Sequence, residues 1–463
     1  MRRPQDRGVG EDEGLGATGI EAARSASGPA AGSPLISRAA PGRRRLVLRL
    51  SLRHIQSLRP LPRRAVVAPA LRPPPGSRDS SFSPAVKRWT TPVAATCWPK
   101  AETSKGPSLP YSDSEKPGDP AAGVIIRKAG RAGRITLAKP KALNALDHQM
   151  ALAIEAALDA WAKDEGVEIV VIDALGEKAF CAGGDIAALY RAGKEGDFLP
   201  GRRFFADEYR LNRTIARYEK PYVALMDGIV MGGGVGLSAH GDHRIVTERS
   251  MVAMPECGIG LIPDVGGTLV LGEAPGRLGE YLGLTGFRMK AADAILAGFA
   301  DHCLPSSEIP RAIARLEETG DPRAIEALFE TPEEGILASR REMIDRFFAA
   351  PDAAAILAAL EADGSDFAAE TARSIRRGSP LSAAVTLELV RAARADPTIE
   401  TALAREYRYT FRAQEKGDFL EGTRAVVIDK DRSPQWPEKR IEDLSRERVE
   451  AMLATLGDDE LSF

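Results

Sequence analysis

Short apolar runs alternate with amphipathic segments from about residue 121 onward, and this alternation restricts the fold more than any other feature. The runs at 168–174, 221–227 and 244–247 have the length and composition of buried strands. Strands that alternate with helices pair in parallel through crossover connections. The sequence therefore predicts an α/β domain with a parallel sheet.

The two ends of this part of the chain give more local signals. The segments 123–128 and 134–138, separated by Ala-Gly-Arg-Ala-Gly, predict a hairpin. Asp147 predicts the start of a helix. The apolar stripe of that helix comprises Met150, Ile154, Leu158 and Trp161. Beyond about Lys290 we expect mostly helix, and 424–428 is the next strand-like run.

The first 120 residues differ in composition from the rest. They carry 20 Lys and Arg against 10 Asp and Glu, whereas the remainder carries 43 against 55. Residues 22–101 hold 13 Arg, 2 Lys and one acid, Asp79, with too little apolar surface to offset chain entropy. We therefore expect residues 1–120 to be a disordered basic extension and linker.

One piece of this extension, 43–54, alternates Arg with Leu and Val in an acid-poor context, which is typical of a mitochondrial transit peptide. The favoured interpretation is an extension that the working protein does not use. The expected compartment is the mitochondrial matrix if the segment is a transit peptide, and the cytoplasm if the protein is bacterial.

Composition also narrows the function classes. No run approaches the roughly 20 apolar residues that span a bilayer, and an acidic body gives no support for nucleic-acid binding. The histidines show no metal-ligand spacing, and there is no P-loop or GxSxG motif, so we expect no metal site and no cofactor. Reduced thiols are expected for the four cysteines, which lack a CxxC pair, namely Cys97, Cys181, Cys257 and Cys303.

Two glycine-rich segments each follow a strand-like run and precede a helical one. They are 180–186 (Phe-Cys-Ala-Gly-Gly-Asp-Ile) and 228–240, which contains three consecutive glycines. Glycines let backbone N–H groups approach a ligand closely, and the start of a helix adds positive dipole. In the first segment Asp185 is equally well explained as the N-cap of the next helix.

Three carboxylates fall where a charge is costly. Glu256 stands among apolar neighbours, which raises a carboxylate pKa or demands hydrogen bonds; the alternative is a surface turn. Asp264 is either a functional carboxylate or the N-cap of a helix that begins at Val265. Glu208 interrupts the apolar stripe of a helix predicted over 201–218, so it either points into a pocket or reaches solvent at the edge of the core.

Taken in order, these segments resemble the crotonase (enoyl-CoA hydratase/isomerase) superfamily. The stretches that resemble its CoA-contacting stretch, its first and second oxyanion loops and its later Pro-Glu segment are 139–146, 180–186, 231–236 and 254–256. The resemblance implies an α/β fold of the crotonase-like (ClpP/crotonase) type. In it, a spiral of ββα turns forms a core domain over 121–300, and a helical C-terminal region over 301–463 completes the site.

The resemblance also implies roles for individual residues. The N–H groups of Gly184 and Gly233 would form the oxyanion hole for a thioester carbonyl oxygen. Glu256 would attack that carbonyl or activate water. Asp264 would bind a substrate hydroxyl and assist proton transfer, and Glu208 would help to hold a short hydroxyacyl group. The residues implied to contact CoA are Lys141, Leu143, Ala182 and Asp185.

One departure decides the branch of the superfamily. Enoyl-CoA hydratases carry a second catalytic glutamate three residues after the second oxyanion glycine, where this chain has Gly236. The chain resembles instead the 3-hydroxyisobutyryl-CoA hydrolase family, in the stretches 231–238, 254–256, 263–267, 284–290, 406–408, 418–425 and 428–431, with Pro434 and Trp436. This implies hydrolysis of (S)-3-hydroxyisobutyryl-CoA in valine degradation, with 3-hydroxypropionyl-CoA as a second candidate substrate.

Three alternatives stay open from the sequence. A hydratase or isomerase would use Glu256 alone. A dinucleotide oxidoreductase would rest on a GxGxxA fingerprint at Gly234, Gly236 and Ala239, and a CoA-binding protein without catalysis would keep only the glycine loops. The expected partner is a small acyl-CoA, without nucleic acid or membrane, and a homo-oligomer is left open.

Overall fold

The structure, a computed structural model, describes residues 123–463. The expected disordered extension and its transit-peptide-like segment lie outside these residues. The described residues fall within one compact unit. None of their helices combines the length and the apolar character that a membrane span requires.

Short strands occur up to residue 303, and helices occur throughout the described residues. The strands are β1 (Val124–Ala129), β2 (Ala132–Leu137), β3 (Ile169–Ala174), β4 (Ala179–Cys181), β5 (Tyr222–Met226), β6 (Ile229–Met231), β7 (His243–Val246), β8 (Met251–Ala253) and β9 (His302–Cys303). The helices up to residue 300 are α1 (His148–Ala162), α2 (Ile186–Lys194), α3 (Leu199–Ala216), α4 (Gly233–Gly236), α5 (Gly267–Glu273), α6 (Leu278–Thr285) and α7 (Ala291–Leu296). The later helices are α8 (Ile309–Thr319), α9 (Leu337–Phe348), α10 (Ala353–Asp363), α11 (Asp366–Arg377), α12 (Pro380–Ala395), α13 (Ile399–Lys416), α14 (Phe419–Thr423) and α15 (Arg446–Leu453).

The strands form two sheets whose order follows from the chain path. The larger sheet has the order β1-β2-β3-β5-β7-β9, and the smaller has the order β4-β6-β8. Only the β1–β2 pair among these is antiparallel. The successive pairs β3–β4, β5–β6 and β7–β8 each place one strand in each sheet before a helical segment. These three turns form the crotonase-like spiral.

The smaller sheet positions the candidate site. Because its three strands are parallel, their carboxyl ends lie at the same edge, which is where open α/β sheets bind ligands. The loops that leave β4, β6 and β8 at this edge carry Gly184, Gly233 and Glu256, respectively. Residues far apart in the sequence are thereby brought together by strand register.

Several local predictions are confirmed. The two N-terminal segments pair as the hairpin β1–β2, with Val124 opposite Leu137. Asp147 is the N-cap of α1, and its side chain accepts a hydrogen bond from the Met150 N–H at 2.9 Å. The runs at 168–174 and 221–227 contain the buried parallel strands β3 and β5.

Two local predictions about the C-terminal half are wrong. The run 424–428 forms a π-helical turn and not a strand. It continues directly from α14, and Arg424 pairs with Glu421 before the turn and with Asp429 and Asp431 after it. A strand was also missed, since β9 has only two residues and is too short to show a periodicity. It pairs in parallel with β7 and extends the large sheet.

The helices after residue 300 pack against the last turns of the spiral. Helix α12 packs on α5 and α6, and α13 packs on α3 and α5. Glu208 lies on α3, and Asp264 lies three residues before the first residue of α5. The C-terminal helices therefore contact the segments that carry two of the three candidate carboxylates.

Candidate active site

A cavity of about 90 Å³ lies where the loops after β4, β6 and β8 meet. The predicted oxyanion, catalytic and substrate-binding residues all line it, namely Gly184, Glu208, Gly233, Glu256 and Asp264. Phe204, Phe205, Ile259 and Leu261 supply apolar wall. The structure thus places backbone donors and buried acids around one small space.

The two glycine loops face each other across this cavity. A methyl group added to the α-carbon of Gly233 would lie 3.6 Å from the Gly184 nitrogen. Within residues 123–463, neither of these two N–H groups donates to a protein acceptor. Both N–H groups are therefore free to donate to a ligand, which the predicted oxyanion hole requires.

Glycine is needed here for two physical reasons. Gly183 (φ 112°) and Gly232 (φ 49°) adopt backbone angles that residues with side chains rarely adopt. At Gly233, a methyl group would lie 2.7 Å from Oε1 of Glu208, which is closer than non-bonded atoms tolerate. The loops can approach the acids only because they lack side chains.

Glu256 is the first residue of a 3₁₀ turn, Glu256–Ile259, that follows β8. Only 5% of it is exposed, so the alternative of a surface turn is wrong. Its Oε1 would lie 3.1 Å from a methyl group at Gly232, and its buried Oε2 has no hydrogen-bond partner among the described residues. The carboxylate therefore lies beside the glycine loops with one oxygen free to act on a ligand.

Asp264 is buried, and its carboxylate is held by another side chain. The Tyr209 hydroxyl donates a hydrogen bond to its Oδ2 at 2.7 Å. Helix α5 begins at Gly267 with Gly266 as its N-cap, so the alternative that Asp264 caps a helix beginning at Val265 is wrong. The left-handed backbone at Val265 (φ 55°) keeps that residue out of the helix.

Glu208 lies in the buried stripe of α3, and the alternative that it reaches solvent is wrong, because 2% of it is exposed. Its Oε1 has no partner among the described residues. A buried carboxylate without hydrogen bonds costs stability. Its position in the cavity wall indicates that this cost is tolerated for a ligand.

Burial raises the pKa values of all three acids. Loss of water, followed by the nearby Asp264 carboxylate, raises the pKa values of Glu208 and Glu256 well above the usual range. Loss of water raises the pKa of Asp264 to about 7, although the Tyr209 hydrogen bond opposes this rise. Asp264 can therefore exchange a proton near neutral pH, as acid–base groups do.

A fourth buried acid, Glu406 of α13, supports the site from outside the cavity. Its carboxylate accepts hydrogen bonds from the backbone N–H of Gly266 at 2.8 Å and of Thr268 at 3.0 Å, and from the Thr268 hydroxyl. It thereby fixes the backbone that follows Asp264. Glu406 had no individual role in the predictions from sequence. The same signal that identified Glu208, an acid within the apolar stripe of a helix, could have identified it.

Asn212 was also missed. It lies one turn after Glu208 on α3, is fully buried, and neither atom of its amide has a partner among the described residues. A methyl group at Gly236 would lie 2.6 Å from its Nδ2 and 2.8 Å from Cβ of Val265. Asn212 and Val265 therefore fill the space that a side chain at position 236 would need.

The residues expected to contact CoA lie in and beside the cavity. Ala182 lines the cavity, and its N–H donates to the Leu143 carbonyl at 3.1 Å. Lys141 is exposed in the 3₁₀ turn just before Leu143. Asp185 lies outside the cavity and caps α2, its side chain accepting from the Ala188 N–H at 3.4 Å. Their contact with CoA stays a prediction.

This arrangement suits one kind of chemistry. Two convergent N–H donors stabilise negative charge on a carbonyl oxygen, and a buried carboxylate beside them can act as a nucleophile or a general base. Residues 123–463 contain no group of three His, Cys, Asp or Glu side chains placed to bind a metal. The three cysteines within them, Cys181, Cys257 and Cys303, are buried free thiols.

Comparisons with known proteins agree on the family. Residues 132–453 match the family model described as enoyl-CoA hydratase/isomerase. The 3-hydroxyisobutyryl-CoA hydrolase, mitochondrial, of Gallus gallus is 41% identical over 356 residues, which are 74% of this chain and 92% of that protein. The protein of the same name from Danio rerio is 42% identical over 351 residues, 73% of this chain and 91% of that protein.

A solved structure with a different description is also similar. The crystal structure of an enoyl-CoA hydratase from Rhodobacter sphaeroides is 51% identical. It superposes with a TM-score of 0.70 and covers 74% of this chain and 100% of that one. The names of the relatives thus divide between hydrolase and hydratase, and the residues of the site must decide between these reactions.

Proposed function

We propose that this chain, which belongs to the enoyl-CoA hydratase/isomerase family, is a 3-hydroxyisobutyryl-CoA hydrolase. Water cleaves the thioester to give the free 3-hydroxy acid and CoA, a step of valine degradation. The names of the curated relatives support this activity. The arrangement of donors and acids in the cavity supports it independently.

In the first step, the thioester carbonyl oxygen accepts hydrogen bonds from the Gly184 and Gly233 N–H groups. The Glu256 carboxylate either attacks the carbonyl carbon or removes a proton from the attacking water. Negative charge then develops on the carbonyl oxygen, where each preorganised donor can contribute about 3 kcal/mol to transition-state stabilisation. The C–S bond breaks and CoA leaves as its thiol after gaining a proton.

If Glu256 attacks directly, a mixed anhydride forms, and water then cleaves it to regenerate the carboxylate. Such covalent catalysis splits one difficult step into two easier ones. Asp264 binds the substrate hydroxyl and assists proton transfer, for which a pKa of about 7 is well suited. Glu208 helps to hold the short hydroxyacyl group against the cavity wall.

The observation that carries the choice of hydrolase over hydratase is the filled space at Gly236. By the resemblance, a hydratase uses a second glutamate at this position. Here even a methyl group would lie 2.6 Å from Asn212 and 2.8 Å from Val265. The carboxylates of this cavity come instead from positions 208, 256 and 264, which suits a substrate that already carries its hydroxyl group.

Other expectations belong to the same proposal. CoA enters past Lys141, Leu143, Ala182 and Asp185, and the reaction needs no cofactor other than the CoA of the substrate. The core domain over 121–300 supplies the reacting groups, and the helical region over 301–463 completes the site.

The test compares two reactions of the purified protein. With 3-hydroxyisobutyryl-CoA, free thiol is measured with an aromatic disulfide reagent. With crotonyl-CoA, hydration is measured as loss of the enoyl-thioester absorbance. We expect rapid thiol release from the first substrate and slow hydration of the second. Rapid hydration without thiol release would replace the hydrolase with a hydratase that uses Glu256 alone.

A further inference from the structure

A second cavity, of about 240 Å³, lies beside the reaction cavity, between the first turns of α1, α2 and α3. Its apolar lining includes Leu146, Leu189, Pro200 and Phe204. Leu189 and Phe204 are buried. The short hydroxyacyl group of the proposed reaction does not use this space, and of the residues expected to contact CoA only Asp185 lines it.

The acids and the histidine around this second cavity already have partners, and its other polar side chain, Gln149, is exposed. Asp147 and Asp185 cap α1 and α2, and Asp147 also pairs with Lys139 at 3.0 Å. His148 Nε2 lies 2.5 Å from Oδ2 of Asp207. Because these groups are engaged, the cavity offers mainly apolar contact, which suits an apolar chain.

Phe204 separates this space from the reaction cavity. It lines both cavities. Its ring packs directly on the first oxyanion loop, since a methyl group at Gly184 would lie 3.3 Å from the ring atoms Cε1 and Cζ. The ring is only 4% exposed and is also packed by Phe205, with ring centroids 5.6 Å apart.

We propose that Phe204 is the residue that limits acyl length, and that the second cavity is a site for the apolar tail of a straight-chain 3-hydroxyacyl thioester once this ring is removed. This inference rests on the proposed hydrolysis of hydroxyacyl-CoA. The ring closes the reaction cavity just beyond the oxyanion hole. A longer chain must therefore displace Phe204 before its terminal carbons can enter the second cavity.

The test replaces Phe204 with alanine and compares kcat/KM for 3-hydroxyhexanoyl-CoA with kcat/KM for 3-hydroxyisobutyryl-CoA. One methylene in an apolar pocket changes specificity by about 10- to 200-fold. We therefore expect the ratio of the two values to rise at least tenfold in Phe204→Ala. Thiol release from both substrates is followed with the same reagent.

Phe205→Ala is the matched control. Phe205 lines the reaction cavity but not the second cavity, and its substitution removes the same volume. We expect the ratio to change less than threefold in this variant. An equal rise in both variants would overturn the inference, because it would reflect loss of volume alone.

A second substitution tests the location of the tail. Ala188 lines the second cavity, so Ala188→Phe in the Phe204→Ala background should fill it and return the ratio toward the wild-type value. An unchanged ratio in the double variant would place the tail elsewhere and overturn the inference. If Phe204→Ala does not fold, Phe204→Leu is used with the same expectations and a smaller rise.

If the proposed hydrolase function is wrong, the experiment gives a result that differs from a wrong role for Phe204. In that case the wild type releases no thiol from 3-hydroxyisobutyryl-CoA, and the inference is tested by the dissociation constants of 3-hydroxyhexanoyl-CoA. Binding at least tenfold tighter to Phe204→Ala than to Phe205→Ala supports Phe204 as the limiting residue. Equal binding to both variants rejects it.

Discussion

The spiral core and the C-terminal helices contribute to the candidate site in opposite ways. All 16 residues that line the reaction cavity lie between Ala182 and Val265, within the core. The C-terminal region supplies Glu406, which contacts the backbone next to Asp264 without lining the cavity. In the proposed reaction the core presents the groups that react, and Glu406 of the C-terminal helices holds the backbone beside one of them.

The buried acids around the site also differ in how they are satisfied. Glu208 and Glu256 each have a buried oxygen without a partner among the described residues, whereas both oxygens of Glu406 accept hydrogen bonds. Unsatisfied groups cost stability but remain free to interact with a ligand, while satisfied groups add rigidity. This difference predicts distinct effects of mutations in the two regions.

The largest effect is expected at Glu256. Glu256→Gln keeps the shape of the side chain but cannot act as a nucleophile or base, so we expect kcat for thiol release to fall about 10³-fold or more. Acyl-CoA binding, measured by calorimetry, should stay within a few fold. A variant that keeps more than about a tenth of the wild-type kcat would remove Glu256 from its proposed role.

A smaller effect is expected in the supporting region. Glu406→Gln replaces one acceptor with an amide N–H₂ that faces backbone N–H groups. We expect kcat to fall about tenfold or more with little change in KM, and the free energy of unfolding to fall by about 1–3 kcal/mol. The matched control is Glu400→Gln, on the same helix but paired on the surface with Arg217. Equal effects of the two substitutions would contradict a positioning role for Glu406.

The pH dependence should reveal the hydrogen bond from Tyr209. Burial raises the pKa of Asp264 to about 7, and the Tyr209 hydroxyl lowers it by stabilising the ionised form. Activity that needs ionised Asp264 should therefore rise as the pH passes through about 7. Tyr209→Phe removes the opposing hydrogen bond, so the acid limb of kcat/KM should move to higher pH.

The control for this shift is Tyr218→Phe, which removes a hydroxyl that donates to the Leu158 carbonyl. The acid limb of kcat/KM could instead stay in place in Tyr209→Phe, or move equally in both variants. Either result would show that ionisation of Asp264 does not set the pH dependence.

The smallest effect concerns stability at Glu208. Its pKa is raised in the folded protein by loss of water and by Asp264, so its contribution to stability is full below the unfolded pKa and is lost as pH rises toward the folded pKa. Glutamine has no carboxyl group to ionise, so Glu208→Gln does not lose stability in this way as the pH rises. We expect its Tm to exceed that of the wild type by a few degrees at pH 8 and to match it near pH 4. The exposed Glu195→Gln should show no difference at either pH.

The sequence predicted those features that depend on local pattern. The hairpin, helix α1 with its Asp147 cap and the alternation of strands and helices all follow from short-range periodicity. The resemblance directed attention to Gly184, Gly233 and Glu256, because these positions lie in short motifs. Their roles remain predictions, but their meeting at one cavity is observed.

What the sequence did not reveal depends on contacts between distant segments. The left-handed backbone at Val265 moves the start of α5 to Gly267, so a plausible cap at Asp264 is not used. Glu406 becomes a support only because α13 packs beside this loop. The filled space at Gly236 depends on Asn212 and Val265, which lie in different elements. Such pairings arise from tertiary packing, so a local signal such as an acid within an apolar stripe can mark a buried position but cannot name its partner.

The substitution Asp264→Asn tests whether the acids of the core recognise a hydroxylated acyl group. We would measure kcat/KM of the wild type and this variant with 3-hydroxyisobutyryl-CoA and with isobutyryl-CoA, which lacks the hydroxyl. The proposed role of Asp264 predicts a loss of about a hundredfold or more for the hydroxylated substrate and a much smaller loss for the other. Equal losses for both substrates, or normal turnover by the variant, would contradict it.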